Sequence, residues 1–125
     1  MNESVFCAII LFLIPSISFA SGGLFTDRSG TIVTGGTSQQ LAASNPGRNE
    51  VIISNPLDAA SQGIAAAENL CFNFGAAATL IGTGSICLAP GEKFVMENAY
   101  GGFVSTQAIN VIAATTGHVY SAKEN

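Results

Sequence analysis

Apolar residues in this chain come in short alternating clusters, and the breaks between the clusters fall on turn residues. Leu70–Phe74 (LCFNF) sets Leu70, Phe72 and Phe74 on one side and Cys71 and Asn73 on the other, the two-residue period of a half-buried strand. Lys93–Glu97 (KFVME) alternates too, with Phe94 and Met96 opposite Lys93, Val95 and Glu97. Glu50–Ser54 (EVIIS) is rich in β-branched residues and is bracketed by Asn45-Pro46-Gly47 and Asn55-Pro56, so it reads as a strand between turns. Ala108–Ala113 (AINVIA) has the length of a core strand, and Thr115-Thr116-Gly117 turns the chain into a last strand, His118–Ala122 (HVYSA). Ser85–Leu88 runs through Ala89-Pro90-Gly91 into Lys93–Glu97, which predicts a hairpin. Together these segments predict an all-β domain of about seven or eight short strands, a single antiparallel β-sandwich or jelly roll. Ile64–Glu68 (IAAAE) is the one helical candidate and is too short to be more than a turn in its connection.

Residues 21–36 are rich in Gly, Ser and Thr and predict an extended arm or a first edge strand, leaving residues 37–125 for the sandwich. Ahead of the arm, Val5–Ile14 (VFCAIILFLI) is an uncharged apolar run, followed by Pro15 and small residues up to Ala20. That layout predicts a secretory signal over residues 1–20, cleaved after Ala20. The segment Met1-Asn2-Glu3-Ser4 carries no Lys or Arg, which leaves open an uncleaved apolar arm that docks on a partner. A membrane anchor is the weakest reading, because Pro15 interrupts the run short of the roughly 20 residues that span a bilayer, and membrane association after processing is not expected.

Cleavage would remove Cys7 and leave Cys71 and Cys87, an even pair suited to an oxidising compartment. A disulfide between them is possible, and so are two buried free thiols.

At 125 residues the chain has room for one domain, and with charged residues at 10% and mean hydropathy at +0.45 it lacks the composition of a disordered segment. Four Lys and Arg against eight Asp and Glu give a net charge of −4, too little cationic surface for a phosphate backbone, so no nucleic-acid partner is expected. Acid-base or nucleophilic catalysis would have to use His118, the single histidine. No G-x-S-x-G elbow surrounds a serine, and Gly82-Thr83-Gly84-Ser85 lacks the lysine of a phosphate loop. His118 is accordingly expected on the surface at a strand edge or as a hydrogen-bonded filler, and Gly82 and Gly84 as turn residues. The carboxylates are spread out and read as solvated surface, and the histidine and cysteines are too few for a zinc set. No enzyme activity, catalytic residue, metal or cofactor is expected. Tyr100 and Tyr120 could stack on a sugar or base, but no aromatic cluster accompanies them.

The order of several short motifs carries a resemblance. Gly35-Gly36-Thr37-Ser38-Gln39-Gln40-Leu41-Ala42 is followed by Asn45-Pro46-Gly47-Arg48 leading into Val51–Pro56 (VIISNP). Then come Leu70–Gly75 (LCFNFG), Leu88-Ala89-Pro90-Gly91-Glu92, and a closing stretch from Ala114-Thr115-Thr116-Gly117-His118 to Ala122-Lys123-Glu124. This succession, from Gly35 to Asn125, resembles small virion proteins of tailed phages. The resemblance implies a β-sandwich that decorates or cements a capsid, or sits at a fibre base. It also implies a homo-oligomer, trimer or dimer, with the major capsid protein or other virion subunits as partners. The signal-like N-terminus departs from that pattern and points to the alternative, a secreted or periplasmic binding module for a glycan or protein.

Overall fold

The computed structural model describes residues 24–57, 68–81, 84–98 and 101–125. Among the described residues there are nine strands: β1 (Thr26–Asp27), β2 (Gly30–Thr31), β3 (Gln39–Ala42), β4 (Glu50–Ser54), β5 (Leu70–Phe74), β6 (Ile86–Leu88), β7 (Lys93–Glu97), β8 (Ile109–Ile112) and β9 (Val119–Glu124). They form two antiparallel sheets, one in the order β1-β9-β4-β7 with β2 also on β9, the other in the order β3-β8-β5-β6. Since β1 and β2 pair with successive parts of β9, they count as one interrupted edge strand. On that count the two orders are those of a jelly roll, in which the chain crosses between sheets at nearly every connection.

The alternation in the sequence explains which faces meet. Leu70, Phe72 and Phe74 of β5 face Val51 and Ile53 of β4, Phe94 and Met96 of β7, and Ile109 and Val111 of β8 in one core. Phe72 is the hub, with ring centroids 5.0 Å from Phe94 and 5.8 Å from Phe74. Each large apolar side chain buried here contributes about 1.5–3 kcal/mol of transfer energy. The cost of crossing between sheets is thereby offset.

Two expectations change. Ser85–Leu88 and Lys93–Glu97 do not form a hairpin, because β6 pairs with β5 while β7 pairs with β4 in the opposite sheet. The intervening turn is tied to the end of β4 instead: Asn55 N–H donates to the Glu92 carbonyl and Gly91 N–H to the Asn55 carbonyl. Gly91 takes a φ of 86°, which a side chain would resist, and the strand then enters the other layer. In the 21–36 segment the edge-strand alternative describes residues 26–32: β1 and β2 lie on β9, and Ile32 is 1% exposed in the core, so the sandwich starts before residue 37. The signal-like residues 1–20 and the helical candidate up to residue 67 lie outside the described residues. Among the described residues no helix is long and apolar enough to cross a membrane.

Candidate functional site

Strand direction sorts the connections to two poles. One pole carries the turns 32–38, 89–92 and 113–118 and the ends of the connection from β4 to β5. The other carries 43–49, the start of 75–85, 98–108, and both Leu24-Phe25 and Asn125. Each pole is organised by a buried polar cluster that joins residues far apart in sequence.

At the first pole His118 leads into β9 and is 1% exposed. Asn55, just past β4, donates both amide hydrogens, to the carbonyls of Glu68 at 2.8 Å and Leu88 at 2.9 Å. Its Oδ1 is thereby turned to His118 Nε2 at 3.0 Å, and since this oxygen only accepts, the proton of the neutral ring sits on Nε2. His118 Nδ1 is left with a lone pair and no hydrogen-bond partner, 3.5 Å from Glu68 Oε1. That carboxylate is held by Thr115, whose backbone N–H and hydroxyl reach it at 2.8 and 3.2 Å. Burial lowers the His118 pKa from its ordinary value, against an opposing pull from Glu68. A proton added at Nδ1 would face the Glu68 carboxylate. The cluster does not form a nucleophile and base pair, because among the described residues no hydroxyl or thiol bonds to either ring nitrogen. The filler reading of His118 therefore describes it, and the surface reading does not.

At the second pole Arg48 is inserted end-on, its side chain fully buried. Its Nε donates to Glu124 Oε2 at 2.7 Å, one terminal nitrogen to the carbonyls of Ser105 and Gln107, and the other to Ala43. Arg28 closes the other carboxylate oxygen of Glu124 at 2.8 Å. Burial alone would raise the Glu124 carboxyl, but hydrogen bonds from Arg48 and Arg28 and their charges outweigh it and hold the pKa below its ordinary value. The arginine thus ties the connections 43–49 and 98–108 to the end of β9. This corrects the expectation that the carboxylates are all solvated surface: Glu124 is 2% exposed.

Cys71 and Cys87 face each other across the β5–β6 ladder, Cα atoms 4.0 Å apart, and are joined in a disulfide. Cys71 belongs to a small cluster with Ala78, Ile112 and Leu80, formed where the 75–85 connection folds back over the second sheet. Tyr120 is buried in the core and offers no stacking surface, Gly84 is a turn residue at φ 96°, and Tyr100 and Gly82 lie outside the described residues. Among the described residues no three His, Cys, Asp or Glu side chains converge as a metal site.

What the surface does offer is apolar. Leu24 and Phe25 before β1, and Phe103 between β7 and β8, stand exposed at the Arg48 pole, and Ile81 projects from the 75–85 connection. Sequence reasoning missed the roles of Arg28, Arg48, Asn55, Glu68 and Glu124. No local signal marks them, since Arg48 and Arg28 meet Glu124 across 76 and 96 positions and Asn55 reads as half of a turn dipeptide. The chain matches no family model, no curated protein and no solved structure.

Proposed function

We propose that this chain is a non-catalytic structural protein of a tailed-phage particle, decorating or cementing the capsid or a fibre base through protein contacts. The observation that carries the reading is the Arg48 pole. A buried guanidinium fixes two connections there, while Leu24, Phe25 and Phe103 are held out to solvent, and exposed apolar groups on a rigid base are suited to a partner surface. The jelly-roll order and the succession of motifs from Gly35 to Asn125 support it, as does the apolar composition of Val5–Ile14 in the sequence. A cement protein needs no reactive centre, only a stable sandwich with sites for neighbouring subunits.

The Cys71–Cys87 bridge favours a second reading, a secreted or periplasmic binding module processed after Ala20. Mass spectrometry of purified particles separates the two. The virion reading expects the chain at a fixed ratio to the capsid subunit, with residues 1–20 intact and needed for attachment. Absence from particles, together with a mature chain starting at Ser21 outside the cytoplasm, overturns it.

A further inference from the structure

β7 is the outer strand of its sheet, and the edge that it leaves unpaired among the described residues has an unusual internal symmetry. Backbone bonds from Asn98 N–H to the Asn49 carbonyl and from Asn55 N–H to the Glu92 carbonyl fix the phase of the β4–β7 ladder. In that phase Phe94 and Met96 spend their backbone groups on β4, and Lys93, Val95 and Glu97 direct theirs outward. The same three residues carry side chains on the outer face of the sheet: cation, aliphatic, anion. Val95 is 44% exposed, and among the described residues neither Lys93 nor Glu97 takes part in an ion pair. Glu97 moreover stands directly opposite Glu50, a like-charge pair that makes no ion pair among the described residues. The rim beneath is apolar: Ile86 of β6 is 41% exposed, and it and the part-exposed Phe94 both flank Phe72.

We propose that β7 is a self-complementary seam, on which a second copy of this chain pairs antiparallel about a two-fold axis through Val95. In that register Val95 exchanges both backbone bonds with its counterpart, Lys93 lies opposite Glu97 of the other copy, and Glu97 opposite Lys93. Both charges gain an opposite partner, and the lysine offsets the Glu50–Glu97 repulsion. Phe94 meets Met96 on the inner face, so the joined sheets cover the apolar rim. A foreign strand could use the backbone groups, but only a second copy reverses the charge order on each half by symmetry. The inference does not depend on the virion reading.

Sedimentation of the full chain over a range of concentrations tests it. A monomer–dimer equilibrium is expected. Lys93→Glu and Glu97→Lys, each of which sets like charges against each other at both ends of the seam, should raise the dissociation constant about tenfold or more. The double substitution Lys93→Glu with Glu97→Lys restores opposite signs and should recover dimerisation. Val95→Pro removes a donor that pairs with no strand among the described residues, so it should abolish the dimer with the fold retained by circular dichroism. A chain that stays monomeric at every concentration would show that the charges serve to guard the edge, and overturns the proposal. So does an oligomer indifferent to the single charge reversals, or one that the double reversal fails to restore, as a different protein on this edge would produce. The charge variants are surface changes and decide the matter even if Val95→Pro fails to fold.

Discussion

Replacing Arg48 with Met keeps the apolar stem and removes the guanidinium, and so measures what the polar pole contributes. The side chain is fully buried and makes four charge-assisted bonds, one to Glu124 and three to backbone carbonyls of Ala43, Ser105 and Gln107. Removing one partner of a buried ion pair costs about 3–5 kcal/mol, because the other charge is left desolvated. Arg28 still serves Glu124, and its side chain is 40% exposed, which moderates that figure toward the lower bound. The three carbonyls add about 1 kcal/mol each where water does not reach them. A loss of about 3–6 kcal/mol follows, a large share of the roughly 5–15 kcal/mol that holds a domain together. At about 4–8 °C per kcal/mol for a domain of this size, the melting temperature should fall by at least about 12 °C. Urea unfolding at neutral pH measures the free energy directly. Glu124→Gln and the double variant complete a cycle whose coupling should be about 1–3 kcal/mol. The pH dependence has a definite sign. Glu124 is held below its ordinary pKa, so its contribution is present above about pH 4.5 and is lost as the pH falls through the folded value, and the gap between wild type and Arg48→Met should narrow in acid. A loss below about 1 kcal/mol at neutral pH, or a gap that is constant in acid, would refute the reasoning.

Three further outcomes are expected. Reducing the Cys71–Cys87 bridge, which spans 16 residues and has Cys87 on the surface, should cost about 3 kcal/mol in urea unfolding, and superimposable curves with and without reductant would contradict it. His118 is neutral when folded and its pKa is lowered by burial. Stability is therefore complete above about pH 6.5 and declines as the pH falls below it, and His118→Gln should lack this phase of the decline in pH-dependent unfolding midpoints. Gly35→Ala would drive a Cβ into the Ala114 carbonyl oxygen and set it 2.7 Å from Thr116 N, both rigid backbone, so a loss of about 2 kcal/mol or more is expected in thermal melts.

The parts of the fold that were legible in the sequence are those governed by local alternation. Leu70–Phe74 and Lys93–Glu97 turn to the core the residues their two-residue period assigns to it, Leu70 and Phe72 fully buried and Phe74, Phe94 and Met96 partly, because each strand has one face on the same hydrophobic layer. The hairpin expectation failed at Pro90-Gly91 for a nonlocal reason. A turn signal says that the chain reverses but not which strand it rejoins, and here β4 competes successfully for β7. The buried polar clusters were invisible for the same reason. Arg48 and Glu124 are ordinary surface residue types, and only the crossing of the β3–β4 connection against the end of β9 brings them together. His118 stood out as the single histidine, yet its partners Asn55 and Glu68 come from a turn dipeptide and a connection.

Thr26 of β1 lies opposite Glu124 of β9, so the described chain enters and leaves the sandwich side by side. A fluorescent reporter joined after Asn125 would therefore crowd the exposed Leu24 and Phe25, which the proposed reading assigns to a partner. The Ala89–Glu92 turn lies at the far end of five-residue strands, about 17–20 Å away, and payload spliced there would ride clear of that traffic. Under the proposed reading the Arg48 pole is the end that meets a partner, and cargo belongs at the opposite end.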